Sequence, residues 1–257
     1  MAPKRRRSKN GGKLSNRRGL QPPKKEHEEP GDDEGVSAAV EKYWFQRFNL
    51  FSKYDEGIRM DEEGWFSVTP EKIAARQAHR CCGAVVIDAF TGVGGNAIQL
   101  AAKYSHVIAI DIDPRKIEMA QNNARVYGVE EYIDFLTGDF FQLAPFLKGD
   151  VVFLSPPWGG PAYKLRDTYT LDLLKPKDGY SLFQVAHNIT PNIIMYLPRN
   201  MDLIQVEQLA WLSSPPLQNQ QRWSPQLHLI RCRRLHCWSP CRLHPYRYRP
   251  PTTLGTF

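Results

Sequence analysis

The sequence predicts an α/β fold, a parallel sheet with helices on both faces. Three observations predict it. Short apolar runs of strand length alternate with helical stretches between about residues 84 and 197. The first run passes through a glycine-rich turn directly into a helix. The runs are apolar with little alternation, which suits strands buried on both faces.

The elements follow in order. Val40 to Leu50 carries Val40, Tyr43, Trp44 and Phe48 close to helical spacing. Thr69-Pro70-Glu71 reads as a cap, a first-turn proline and an acid, opening a helix that runs to about His79. Ala84 to Asp88 is the first predicted strand, and Gly94 to Lys103 the helix after it. His106 to Ile110 is the second strand, followed by a helix from Pro114 to Tyr127 that stops at Gly128. Ile133 to Leu136 and Asp150 to Leu154 are the third and fourth strands. A helix around Ser181 to His187 and a fifth strand from Asn192 to Leu197 complete the pattern. Ligands of such sheets sit at the carboxyl ends of the strands, near the point where strand order reverses.

The 257 residues suffice for one catalytic domain plus tails, with four segments: 1–36, 37–80, 81–217 and 218–257. Residues 1–36 are rich in Lys, Arg, Gly, Pro, Glu and Asp with almost no apolar content, so disorder is expected. Residues 37–80 form a small N-terminal helical extension, and 81–217 the main domain. The formal net charge of +7 suits a polyanionic partner and comes mainly from two places. One is Lys4-Arg5-Arg6-Arg7 with Lys9, readable as a nuclear import signal or as a solvated basic tail. The other is the arginine-rich stretch after Glu207, which has no acid at all. No run approaches the roughly 20 apolar residues of a membrane span, and no secretory signal opens the chain. A soluble protein with its five cysteines reduced is therefore expected.

Four motifs carry chemistry. In Asp88-Ala89-Phe90-Thr91-Gly92-Val93-Gly94-Gly95 the glycines allow close approach of a ligand to the backbone. An acid four residues before Gly92 disfavours a pyrophosphate and suits a ligand bearing an ammonium and a sulfonium, which points to S-adenosylmethionine. Asp111, ending the second strand, is placed to accept two ribose hydroxyls, though a solvated loop acid looks the same. Gly138-Asp139-Phe140 offers an acid for an adenine amino group and a ring beside it, although Phe140 also reads as core. Ser155-Pro156-Pro157-Trp158 resembles the (Asp/Asn/Ser)-Pro-Pro-(Tyr/Phe/Trp) signature of methyltransferases that act on amino groups. The prolines stiffen the turn. The residue 155 side chain and the Pro156 carbonyl then hold a target NH2 by its protons, and Trp158 stacks on the base. Catalytic work falls to Ser155, Pro156 and Trp158. No metal is expected, because a sulfonium is already an activated leaving group.

Residues from about Glu41 to Leu217 resemble the trimethylguanosine synthase family. The resemblance rests on Lys42-Tyr43-Trp44, Asp55-Glu56-Gly57-Ile58, Gly64-Trp65-Phe66-Ser67-Val68-Thr69-Pro70-Glu71, the glycine motif through Asn96, Ile110-Asp111-Ile112-Asp113-Pro114, Leu154-Ser155-Pro156-Pro157-Trp158-Gly159-Gly160-Pro161 and Leu197-Pro198-Arg199-Asn200. It implies a Rossmann-like class I S-adenosylmethionine-dependent methyltransferase that methylates N2 of the 7-methylguanosine cap of small nuclear and nucleolar RNAs, releasing S-adenosylhomocysteine. It implies capped RNA as partner and nuclear residence. It also implies that Ser155 and Asn123 touch the cap guanine, that Lys42 and Arg199 reach the cap phosphates, and that Phe51, Ser67 and Thr69 close over the methyl donor. Surface charge is the alternative reading for Lys42 and Arg199, and core for Phe51, although Arg199 sits at the end of the fifth strand, beside the site.

After Leu217 the resemblance stops. The family continues with two strands that close the sheet. Here residues 218–257 hold Arg, Pro, Leu, His, Trp and Cys in irregular order, and prolines at 225, 240, 245, 250 and 251 argue against central strands. His228, Cys232, His236, Cys237, Cys241 and His244 fit no standard zinc spacing. The closing strands are expected to be missing. That leaves two further readings: a catalytically impaired cap- or RNA-binding isoform, or another amino methyltransferase of the adenine-N6 type, against which Trp158 and the Gly-Trp-Phe-Ser segment speak.

Overall fold

The computed structural model describes residues 38–81, 83–103 and 105–211. The expectations for residues 1–36 and 218–257 lie outside the described residues.

Two helices, α1 (Ala38–Trp44) and α2 (Arg47–Leu50), open the described chain. The sequence predicts one continuous helix here, and the structure divides it at Phe45-Gln46. The division aims Leu50 inward and leaves Phe45 and Phe48 exposed. α3 (Glu62–Ser67) follows, capped by the Asp61 carboxylate, which accepts from the Gly64 amide at 2.8 Å. α4 (Glu71–Ala78) starts one residue later than the cap reading of Thr69 implies. Pro70 occupies the N-cap position, and no side-chain hydrogen bond caps the helix.

The remaining elements alternate. They are β1 (Val85–Asp88), α5 (Gly95–Ala101), β2 (His106–Asp111), α6 (Pro114–Tyr127), β3 (Ile133–Thr137), α7 (Phe140–Leu143), β4 (Val151–Leu154), α8 (Gly179–Ile189), β5 (Ile193–Met195) and α9 (Leu203–Trp211). Gly128, left-handed at φ 71°, ends α6 as expected. The Asp113 carboxylate caps its start by accepting from the Arg115 amide at 2.9 Å. Among the described residues the sheet has five parallel strands in the order β3-β2-β1-β4-β5. The predicted parallel α/β architecture is therefore correct, and β5 forms one edge of the described sheet.

Successive strand residues face opposite sides, so the sheet builds two cores. Val86, Val107, Ala109, Val151, Phe153 and Ile194 pack on one face together with Val40, Leu50, Phe51, Ile58 and Trp65 from the N-terminal helices. Ile87, Ile110, Val152, Leu154, Ile193 and Met195 pack on the other with Leu182, Phe183, Val206 and Leu209 of α8 and α9. Each of the Val, Leu, Ile, Phe and Met side chains contributes about 1.5–3 kcal/mol when fully buried. The chain leaves β1 for β2 on one side and reaches β4 on the other. The resulting crevice lies at the carboxyl ends of β1 and β4.

Candidate active site

A cavity of about 380 Å³ occupies that crevice, a volume suited to a small-molecule ligand. Its floor is made by the turns after four strands: Ala89–Val93 after β1, Asp111–Asp113 after β2, Gly138–Phe140 after β3, and Ser155–Trp158 after β4. Its roof comes from the N-terminal helices, through Tyr43, Glu63 and the stretch from Phe66 to Thr69. Gly160, Pro161, Tyr163, Lys164, Lys175 and Pro176 form an outer wall beyond Trp158.

The glycine turn is shaped from both sides. Gly92 and Gly94 are left-handed, at φ 53° and 90°, a region that side chains with a Cβ disfavour. A Cβ on Gly94 would also come 3.1 Å from the Cβ of Ala120 on α6. The Gly92 amide donates to Asp111 Oδ2 at 2.9 Å, and the Asp113 amide to Oδ1 at 3.0 Å. Asp111 is thus fixed by two backbone bonds, and each oxygen keeps a further lone pair for a ligand. Burial is the main cause that raises its pKa, opposed by those two bonds.

Asp88 lies beneath the turn with no exposure, and neither carboxylate oxygen has a hydrogen-bond partner. Burial pushes its pKa up to about 7. The Thr91 hydroxyl and the Phe90 amide pull the other way. Neither reaches full hydrogen-bond geometry, so burial prevails. The Thr91 hydroxyl is likewise buried and unpartnered. An uncompensated buried carboxylate is costly, and a cationic ligand group would relieve it.

Asp139 caps α7, accepting from the Phe141 amide at 2.9 Å. Phe140 is buried, sits against Phe90 with ring centroids 6.0 Å apart, and still lines the cavity. After β4, Pro156 is buried and Ser155 half-buried. Trp158 is held by three tyrosines. Its ring meets Tyr163 edge-on, with centroids 5.1 Å apart and planes at 84°. It lies 5.1 Å from Tyr196. Its backbone carbonyl accepts from the Tyr169 hydroxyl at 3.1 Å.

The structure thus brings Gly92, Asp111, Asp139, Phe140, Ser155, Pro156, Trp158, Ser67 and Thr69 to one cavity. Asp88 and Gly94 stand behind its floor. Asn123, Phe51 and Arg199 do not line it either. Asn123 is fully buried: its Oδ1 accepts from the Arg59 amide at 2.7 Å, and its Nδ2 donates to the carbonyls of Arg59 and Val93 at 2.8 and 2.9 Å. It brackets the segment before α3 onto α6 and has no face toward a cap guanine. Phe51 is core, 2 % exposed, tilted against Tyr127 and behind Gly95 rather than over the cavity. Lys42 lies on α1 beside Tyr43, which does line the cavity. Arg199 is exposed just past β5, close enough that its charge lowers the pKa of the Tyr163 phenol, although burial raises that pKa overall.

Several cavity residues escape the sequence reading, Lys116 among them. Lys116 is only 6 % exposed, and its Nζ lies 2.8 Å from Asp61 Oδ1 and 3.2 Å from Glu63 Oε2. It ties α6 to α3 across the roof. A lysine in the first turn of a helix opposes the macrodipole, and that misplacement was the available signal. The aromatic clamp of Tyr163, Tyr169 and Tyr196 is also missed, because its members are scattered along the chain.

A family model described as RNA cap guanine-N2 methyltransferase matches residues 83–220. Over 191 residues the chain is 42 % identical to trimethylguanosine synthase of Schizosaccharomyces pombe, covering 70 % of this chain and 80 % of that protein. It is 41 % identical over 177 residues to trimethylguanosine synthase of Saccharomyces cerevisiae, covering 64 % of this chain and 56 % of that one. Among solved structures it is similar in fold to a putative methyltransferase from Porphyromonas gingivalis W83, with a TM-score of 0.54 and 20 % identity over 66 % of this chain and 43 % of that chain.

Proposed function

The chain belongs to the RNA cap guanine-N2 methyltransferase family, and from that premise we propose that it makes two successive methyl transfers, each from a fresh donor, to N2 of the 7-methylguanosine cap of small nuclear and nucleolar RNAs, giving 2,2,7-trimethylguanosine. The methyl donor is S-adenosylmethionine, which supplies a methyl group on an activated sulfonium and leaves as S-adenosylhomocysteine. The residues present fit that donor. The orphaned Asp88 oxygens call for a cation. Asp111 has lone pairs for ribose hydroxyls, and Asp139 with Phe140 suits an adenine.

The chain's own residues then divide the work. Ser67 and Thr69 close the donor end from above. Ser155 and the Pro156 carbonyl hold the guanine N2 by its protons, which leaves the nitrogen lone pair free to point at the methyl group. Trp158 stacks on the purine. N7 methylation makes that purine cationic, so stacking gains cation–π attraction of about 1–2 kcal/mol that plain guanine lacks. Arg199 and Lys42 meet the cap phosphates. The domain division that accompanies this reading is a helical extension over 37–80 followed by a methyltransferase domain over 81–217. Nuclear residence follows from the substrate class, with Lys4 to Arg7 as the import signal. Among the described residues no helix is long and apolar enough to cross a membrane.

One observation carries the proposal: a single cavity runs from the Asp111 carboxylate to the clamped Trp158 ring. The test is methyl transfer from labelled donor to 7-methylguanosine diphosphate and to guanosine diphosphate. Transfer to the first and little to the second is expected. No transfer to either, or equal transfer to both, overturns the reading.

A further inference from the structure

The cavity carries opposite charges at its two ends. The order β3-β2-β1-β4-β5 sets the ends of β2 and β3 on one side of β1 and the end of β4 on the other. On the β2 and β3 side the lining holds Asp111, Asp113 and Asp139. On the β4 side it holds Lys164 and Lys175, both exposed. Among the described residues neither lysine joins an ion pair. The cavity's other lysine, Lys116, is committed to Asp61 and Glu63.

Both ammonium groups stand on segments fastened to the aromatic clamp. The Lys175 amide donates to the Pro157 carbonyl at 3.2 Å, which fixes it to the turn that carries Trp158. Lys164 belongs to the short 3-10 turn Pro161–Leu165. Asn200 Nδ2 donates to the carbonyls of Tyr163 and Arg166, at 3.2 and 2.8 Å, and so pins that turn at its middle and at its C-cap. Asp167 and Asp172 are exposed in the same stretch, but neither lines the cavity. The wall beyond Trp158 therefore presents cations, and no acid stands on that wall among the lining residues.

A cap nucleotide stacked on Trp158 continues through its phosphates into the RNA chain, and that chain must leave the cavity over a rim. The acidic end repels it. We propose that Lys164 and Lys175 form a phosphate-binding rim for the RNA that follows the cap, so that the protein binds a capped oligonucleotide more tightly than the free cap nucleotide. This rests on the cap-methylation reading and adds a contact surface beyond the cap itself. Each neutralised phosphate releases counterions, so such binding weakens with salt.

The experiment measures the affinity of the full chain for 7-methylguanosine diphosphate and for a labelled capped ten-nucleotide RNA across a salt series. The parent protein is expected to favour the oligonucleotide at low salt and to lose that preference as salt rises. Lys164→Ala/Lys175→Ala should lose most of the preference. Its slope of log affinity against log salt should fall by roughly 1–1.5, as two contacts to a single strand require. Lys164→Arg/Lys175→Arg should keep both. Cap-nucleotide binding with an unchanged slope in the alanine variant overturns the rim and leaves the cap reading standing. Slope loss on the oligonucleotide without any binding of the cap nucleotide supports the rim and sinks the cap reading.

Discussion

The indole Nε1 of Trp158 donates to the backbone carbonyl of Tyr196 at 3.3 Å, joining the turn after β4 to the residue that follows β5. With Tyr163 edge-on and Tyr169 on its carbonyl, the ring is fixed before any ligand arrives. Trp158→Ala should therefore abolish most methylation of 7-methylguanosine substrates and leave donor affinity nearly intact. Trp158→Phe should keep part of the activity, because Phe makes a weaker cation–π contact and loses the bond to Tyr196. Steady-state kinetics beside calorimetric donor titration measure both, and undiminished turnover in the Ala variant would remove Trp158 from the cap site.

Asp111 links two turns, since it takes the amides of Gly92 and Asp113 while facing the cavity. A carboxylate that also accepts ribose hydroxyls should contribute about 1.5–3 kcal/mol to donor binding. Asp111→Ala should weaken S-adenosylmethionine and S-adenosylhomocysteine together, by roughly one to two orders of magnitude. Asp111→Asn, which keeps one carbonyl acceptor, should be milder. Equal affinities of the parent and the Ala variant for both compounds would rule out the ribose role.

The five strands are legible because buried parallel strands write themselves as unbroken apolar runs, and Val151–Leu154 is buried at every position. The cavity floor is legible for a related reason: its residues lie at strand ends, where chain order and spatial order coincide. What is hidden depends on contacts between distant segments. Asn123 reads as a cap ligand only until Arg59, 64 residues away, is seen to occupy its amide on both sides. α3 is missed because Glu62-Glu63-Gly64 has no apolar period. It forms because Asp61 caps it and Lys116 binds both Asp61 and Glu63. Phe51 is apolar in either role, so its type alone does not separate a lid from a core residue.

The Lys116 contacts lead to a stability expectation. Its side chain is 7 % exposed, whereas those of Asp61 and Glu63 are 35 % and 53 % exposed. Water screens the acids but not the ammonium, so the loss falls below that of a fully buried pair. Lys116→Met should cost roughly 1–3 kcal/mol and loosen α3, which leads into Ser67 and Thr69. Donor affinity should fall with it, whereas Lys116→Arg should restore much of both. Denaturant melts paired with donor titration check this, and a Met variant that melts like the parent and binds donor equally well would show that the roof stands without the latch.

The last expectation concerns pH and Asp88. Its carboxyl is pushed from the ordinary 3.8 up to about 7 by burial. Asp111 is the nearby acid whose charge adds to the rise, and Thr91 the hydroxyl that opposes it. Between pH 3.8 and about 7 the folded protein holds a proton that the unfolded chain has released. Stability contributed by this group is therefore fully present below the unfolded value, falls as pH rises through that window, and is flat above it. Asp88→Asn, which stays neutral, should melt closer to the parent at pH 5 than at pH 8, where it should be the more stable of the two. An ammonium from the donor favours the ionised carboxylate. Donor binding at pH 6 should then release a proton, and donor affinity should rise with pH until about 7. Calorimetry in two buffers of different ionisation enthalpy reads the proton directly. Binding with no proton release at pH 6, and none lost on going to Asp88→Asn, would place the donor's ammonium elsewhere and leave Asp88 as a structural acid under the glycine turn.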